Sequence, residues 1–184
     1  VSNGKTTSEH TEIQWMLLKL GSDMGLSVMP ATNDRGKSYN GQQFNSLKNY
    51  KTELPVQFDP ATRSTVEMID VIWIQNRAIV AAFEIESTTS IYSGLLRMSD
   101  LISMQPNLNI PLYLVAPNAR RNKAISEINR PTFTRLSQPL YEICRFISFE
   151  TLRKGISDTS KFARHLKPDF IQDEISESCE VAAL

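Results

Sequence analysis

The sequence predicts a single α/β domain with a mixed central sheet, and three observations carry that expectation. A helical apolar stripe opens the chain, a hairpin with apolar residues on both faces lies at its centre, and a helix and a further apolar strand follow. A length of 184 residues suits one domain with a sizeable core. Hydrophobic residues make up 41% and charged residues 22% of the chain, an ordinary globular balance, and no apolar run approaches the ~20 residues that span a bilayer. A soluble protein with no membrane partner is expected. Cys144 and Cys179 lack metal-ligand spacing, and Cys179 falls in a polar stretch, so neither a disulfide framework nor a zinc site is indicated and a reducing cytoplasm is consistent. No signal peptide is apparent, and Val1 in place of Met suggests processing or a longer parent chain.

The first helix is expected over residues 8–24, with Ser8 as N-cap, Glu9 in the first turn, Ile13, Met16, Leu17 and Leu20 as the stripe, and Gly25 as terminator. Leu26 to Ala31 reads as a short strand. Residues 32–65, polar and punctuated by Gly36, Gly41, Pro55 and Pro60, read as a long excursion outside the core. Val66–Ile74 and Ile79–Glu86 are rich in β-branched and aromatic residues, and Gln75-Asn76-Arg77 between them reads as a hairpin turn. Strict alternation places Asp70, Ile72 and Ile74 on one face of the first strand, and Val80, Ala82, Glu84 and Glu86 on one face of the second. Both faces are apolar over most of their length, as in a strand covered on both sides.

Ser87-Thr88-Thr89-Ser90 supplies helix caps before Ile91, Leu95, Met98 and Ile102 set a helical stripe. Leu112-Tyr113-Leu114-Val115 reads as the next strand, parallel to the one ending at Glu86 because a helix supplies the crossover. Asn118 is expected to cap the following helix and Pro131 to end it. Phe146 to Phe149 suggests one more strand before a helical, polar C-terminal region.

Zero net charge conceals an asymmetry. Residues 169–184 carry five acids and no Lys or Arg, which leaves residues 1–168 with 20 basic against 15 acidic side chains. The expected division is a domain over 1–168, compatible with a polyanionic partner, and an acidic tail over 169–184 that is mobile or weakly helical.

The chemistry concentrates at Asp70, Glu84 and Glu86. Alternate residues on a strand place the two glutamates on one side with Cα atoms about 6.5–7 Å apart, and a hairpin register centred on Arg77 sets Asp70 opposite Glu84. Three carboxylates leaving a buried hairpin together call for protonation or a cation, and a hard divalent ion such as Mg²⁺, with Mn²⁺ as substitute, answers this with oxygen ligands suited to phosphodiester hydrolysis. Glu-X-Glu by itself is commonly a solvated strand face; apolar Val80 and Ala82, and a helix N-terminus ready to receive a phosphate, argue for a site. Arg120, Arg121 and Lys123 lie just past the parallel strand, at the edge where the glutamates emerge, either as phosphate contacts or as a solvated helix face.

Ile69-Asp70-Val71 followed by Ala82-Phe83-Glu84-Ile85-Glu86, on a hairpin between a leading helix and a helix–strand unit, resembles the PD-(D/E)XK nuclease superfamily of restriction enzymes and DNA-repair nucleases. The resemblance covers roughly residues 8–150 and implies a restriction endonuclease-like αβββαβ core flanked by helices, with Asp70 and Glu84 as metal-binding acids. Glu86 stands where the family usually has lysine, as in some of its restriction enzymes, and Ile69 stands in the place of the motif proline. The leading helix of the family often directs a glutamate to the metal; Glu12 is the candidate here, with an ordinary surface charge as the alternative. His10 reads as a solvated flanking residue.

The resulting expectation is a Mg²⁺-dependent DNA endonuclease of a restriction or repair system, with Asp70, Glu84 and Glu86 catalytic, and Arg97, Arg120, Arg121 and Lys123 contacting substrate. It would act as a homodimer or as a subunit of a larger restriction assembly. A non-catalytic DNA-binding or assembly module that keeps the nuclease fold is the alternative, favoured by the absent lysine. No phosphate-binding glycine loop follows a strand, the chain has only two histidines, and no nucleophile elbow is present, which argues against nucleotide-triphosphate, zinc and serine chemistry. A glycosidase normally sets its two acids across a cleft, which neighbours on one strand do poorly.

Overall fold

The computed structural model describes the backbone of residues 3–55, 58–87, 91–104 and 109–181, and the side chains of these except 3–8 and 104. Helix α1 spans Asn3–Asp23, so Ser8 lies inside the helix and is not its cap. Gly25 terminates it as expected: at φ +85° it lets its own N–H reach the Ser22 carbonyl and the Leu26 N–H reach Gly21, a closure that a β-carbon disfavours. Strand β1 is Ser27–Pro30.

The excursion that follows has structure of its own. A 3-10 turn at Thr32–Asp34 leads to a small hairpin, β2 (Ser38–Tyr39) and β3 (Gln42–Gln43), that turns on Asn40 and Gly41. Helix α2 (Pro60–Val66) starts on two signals present in the sequence, since the Asp59 side chain accepts from the N–H groups of Ala61 and Thr62 and Pro60 occupies the first turn. Val66 therefore closes a helix, and does not open the hairpin strand as its β-branched character suggests.

The hairpin itself is β4 (Val71–Gln75) and β5 (Ala78–Ile85), followed by α3 (Ile91–Met104) and β6 (Leu112–Ala116). Asn118 begins a 3-10 turn and makes no cap; α4 (Arg121–Ile128) comes after it and ends before Pro131, which instead opens α5 (Pro131–Thr134). Then come α6 (Leu140–Ile143), β7 (Cys144–Ser148), α7 (Phe149–Thr159), N-capped by Ser148, and β8 (Glu177–Ser178).

Six strands form one mixed sheet in the order β1-β4-β5-β6-β7-β8. The pairs β1–β4, β4–β5 and β7–β8 are antiparallel, and β5–β6 and β6–β7 are parallel, as helical crossovers require. Taken along the chain, α1, β1, β4, β5, α3 and β6 reproduce the αβββαβ order. Helices cover both faces. One core cluster joins Ile72, Ala82, Leu112 and Phe146 to Leu95 and Met98 of α3 and Ile128 of α4; the other joins Trp73, Phe83, Tyr113 and Ile147 to Leu17 of α1 and Leu152 of α7. On the latter face Trp73, Phe83 and Tyr113 form a row with ring centroids 4.7 and 5.0 Å apart. The Trp73 Nε1–H donates to the Leu17 carbonyl at 3.1 Å, and Gly21 lets α1 come this close, because a β-carbon there would lie 2.5 Å from Nε1.

The hairpin register has an irregularity that matters for the site. Asn76 (φ 49°) and Arg77 (φ 66°) both sit in the left-handed region, the signature of a two-residue I′ turn, which pairs Gln75 with Ala78 and Ile74 with Ile79. One residue of β5 is then unpaired, and beyond it Trp73 pairs with Ala81, Ile72 with Ala82 and Val71 with Phe83. The bulge puts Val80 on the face of Ala81 and Phe83, so Val80 does not share the face of Glu84 as strict alternation predicts.

Residues 169–181 are built onto the sheet. β8 pairs with β7, Ile171, Ile175 and Cys179 are buried, and Arg121 holds Glu177 through two hydrogen bonds of 2.7 and 2.8 Å. The expectation of a tail apart from the domain overlooks these apolar residues, which fall between the acids at positions that reach the core.

A test of the turn follows directly. Arg77 adopts a positive φ that glycine adopts freely, so Arg77→Gly creates the favoured Asn-Gly pair and is expected to raise the unfolding free energy in urea by about 0.5–1 kcal/mol.

Candidate functional site

Register arithmetic brings the acids together. Extending the β4–β5 pairing one step past Val71–Phe83 sets Asp70 opposite Glu84, where a hairpin without the bulge would set it opposite Phe83. Asp70 is anchored by its Oδ2, which accepts the Ile85 N–H at 2.7 Å, and its Oδ1 faces His10 Nε2 at 3.5 Å. Glu86 lies just past the end of β5, with its N–H bonded to the Val115 carbonyl of β6. Asp70 and Glu86 are 9% and 8% exposed and Glu84 is fully buried.

Burial dominates the electrostatics. It pushes the Glu84 carboxyl well above the usual range, opposed by hydrogen bonds from Arg97 and reinforced by the charges of Asp70 and Glu86. Glu86 is pushed up to about 7, first by burial and then by Asp70, against the pull of Arg97, Arg120 and His10. Arg97 of α3 grips Glu84 with both prongs of its guanidinium, Nε to Oε1 at 2.8 Å and Nη2 to Oε2 at 2.6 Å. This pairing raises the guanidinium pKa further.

Gly94, one turn before Arg97, makes the close approach of α3 possible. A β-carbon there would lie 3.1 Å from Glu86 Oε1 and 3.2 Å from Glu84 Oε2. Glycine inside a helix costs about 1 kcal/mol relative to alanine, and that local misfit was the signal in the sequence for a close contact at this position.

The leading helix contributes different residues from the one expected. Glu12 bonds to Arg153 of α7 at 3.1 Å, and Glu9 shares that arginine. Instead His10 and Gln14, one turn apart, meet Asp70. Gln14 is fully buried, and its Nε2 donates to the Asp70 carbonyl and to Asp34 Oδ2, both at 2.9 Å. Two acceptors fix the amide orientation, which leaves Oε1 buried without a partner. The spacing His10-Gln14 placed both on one helical face, yet only the tertiary fold shows that this face meets Asp70.

Among the basic candidates, the charge of Arg120 acts on Glu86, which places it at the sheet edge where the acids emerge; Arg121 is engaged with Glu177, and Lys123 is exposed on α4. The expected caps Thr88, Thr89 and Ser90 lie outside the described residues. Among the described residues no group of three His, Cys, Asp or Glu side chains is arranged to hold a metal ion, and both oxygens of Glu84 accept from Arg97. The donor chemistry nonetheless suits a hard cation: the carboxyl groups of Asp70, Glu84 and Glu86 are all buried, and all of them offer oxygen.

The chain matches, over residues 2–179, the family described as the Type II restriction enzyme NmeDI C-terminal domain. It is 32% identical over 151 residues to the Type II restriction enzyme NmeDI of Neisseria meningitidis serogroup C, an alignment covering 73% of this chain and 43% of that protein. The chain thus spans less than half the length of this relative. No solved structure matches it.

The raised Glu86 carboxyl has a definite consequence for stability. Its folded pKa, about 7, exceeds the ordinary 4.5, so the stabilisation is complete below pH 4.5 and is lost as pH rises through 7. Glu86→Gln is expected to leave the melting temperature unchanged near pH 4 and to raise it near pH 8. The difference in stability is at most on the order of 2–3 kcal/mol after solvent screening, and calorimetry at the two pH values measures it.

Proposed function

This chain belongs to the family of Type II restriction enzyme NmeDI C-terminal domains, and from that premise we propose that it is the cleavage domain of a DNA endonuclease, a variant of the PD-(D/E)XK type with Glu86 in the place of the motif lysine. The observation that carries this reading is the convergence of Asp70, Glu84 and Glu86 at the open end of a buried hairpin, in an αβββαβ core.

In this reading Asp70, Glu84 and Glu86 hold Mg²⁺, with Mn²⁺ as substitute. The ion, when bound, supplies charge stabilisation at a scissile phosphate and acidifies water. The residues of the chain do the rest. The Ile85 N–H holds one oxygen of the Asp70 carboxylate, and Gln14 holds the Asp70 backbone through its carbonyl, so that the acid is positioned from two sides. Glu86, with a carboxyl near pH 7, is suited to take a proton from the attacking water or to complete the ligand set. Arg120 and Lys123 are the basic groups for DNA phosphates. Glu12 and Arg121, engaged with Arg153 and Glu177, would have to leave those partners to take part.

The missing lysine and the Arg97–Glu84 pairing also favour a second reading, a domain that binds or assembles on DNA without cutting it. One experiment separates the two. Asp70→Asn and Glu84→Gln are each expected to lower Mg²⁺-dependent cleavage of plasmid DNA by at least 10³-fold while leaving the folded circular-dichroism signal intact. Wild-type protein that binds DNA yet cuts neither plasmid nor modified DNA with Mg²⁺ or Mn²⁺, in the context of the full-length protein, would establish the binding module. Arg120→Ala and Lys123→Ala should each reduce the salt slope of DNA binding by about one.

A further inference from the structure

We propose that Arg97 is the built-in counter-cation of the acid site, a positioning residue that holds Glu84 in the ion-free protein, competes with a divalent cation for the same carboxylate, and is displaced from it when the cation binds. This inference rests on the metal-site reading above.

Four features of the site support it. Glu84 is completely buried and each of its oxygens accepts a hydrogen bond from Arg97, so the guanidinium already fills part of the coordination capacity that a metal would use. The two partners differ in their freedom to move: the Glu84 side chain is 0% exposed in the middle of the sheet, while that of Arg97 is 28% exposed on a helix, with a long flexible stem. Glu86 Oε1 and Glu84 Oε2 lie 3.1 and 3.2 Å from where a β-carbon on Gly94 would stand, and the hairpin register sets Asp70 opposite Glu84, so acids that meet here favour positive charge whichever cation supplies it. Finally, Gly94 leaves no side chain between α3 and the two glutamates, and Arg97 is carried on that same helix one turn later.

Breaking a buried ion pair by removing one partner is costly because it strands a charge. Exchange of one cation for another does not strand Glu84. A guanidinium brings one positive charge to three carboxylates, whereas a divalent ion brings two and accepts oxygens from more than one of them. The exchange is therefore downhill only when Asp70 and Glu86 join in, which couples the release of Arg97 to assembly of the complete ligand set. The freed guanidinium then stands beside the acids as a bidentate donor for a phosphate. If Arg97 occupies Glu84 for all but one part in ten to one hundred of the ion-free population, the apparent ion affinity falls by the same ten- to hundredfold.

The experiment uses the whole chain and Ca²⁺ at pH 8, an ion chosen so that binding is read apart from cleavage. By calorimetry, Arg97→Met is expected to bind Ca²⁺ at least tenfold more tightly than wild type, with Arg97→Lys, which keeps the charge but loses the fork, in between. Should Arg97→Met fail to fold, the wild-type protein still decides the matter. The Arg97 Nε–H resonance, assigned by its loss in Arg97→Lys, is expected to be protected from solvent exchange without ion and to lose that protection at saturating Ca²⁺. Ion binding in wild type with an unchanged Arg97 resonance, or with equal or weaker affinity in the variants, overturns the counter-cation role and leaves the metal site standing. Absence of ion binding in wild type and in both variants overturns the metal-site reading and this inference together.

Discussion

A carboxylate with no exposed surface, Glu84 in the middle of the sheet, imposes the condition that the architecture around it meets. An isolated buried charge is so costly that the group must be neutral, paired or bound to a cation. Here a guanidinium reaches it in a two-pronged geometry, and for that to happen α3 must lie close against β5. Gly94 permits the approach and the stripe of Ile91, Leu95, Met98 and Ile102 anchors the helix in the core. The polar pair and the apolar packing thus specify the same placement of one helix. Either alone would leave the other unsatisfied.

The second constraint is covalent in origin. An I′ turn and a single extra residue in β5 together decide which residues face each other seven positions away. One residue fewer would set Asp70 opposite Phe83, and Asp70 would lie on the wrong side of the pleat from Glu84. Bulges commonly re-aim side chains next to functional sites, and this one does so while moving Val80 to the aromatic face. The Trp73–Phe83–Tyr113 row then continues across three strands on the side away from the acids.

Charge is distributed by the same logic. The excess of basic residues in the first 168 positions is partly consumed inside the fold: Arg97 on Glu84, Arg121 on Glu177, Arg153 on Glu9 and Glu12. The pairing of Arg121 with Glu177 ties the C-terminal segment to the start of α4. Arg120, from the turn after β6, and His10, from α1, also act on the acids, and they come from two elements distant in sequence.

By itself the sequence determined the α/β class, the central hairpin, the parallel β6 and the approach of Asp70 to Glu84, because these follow from local periodicity, turn chemistry and the rule for helical crossovers. The same register emerged from a symmetric hairpin centred on Arg77, although the chain reaches it by a two-residue turn plus a bulge. The start of α2 was also written locally, in Asp59-Pro60, and was masked by the β-branched Val66 that ends it. Only the tertiary structure decided that Gln14 and His10, not Glu12, meet Asp70, that Arg97 grips Glu84, and that residues 169–181 complete the sheet. Those are contacts between segments far apart in the chain. A helix face exposes several polar side chains at equivalent spacing, and which of them meets a buried acid depends on how the helix is rotated and seated by its apolar residues, a quantity that no local pattern encodes.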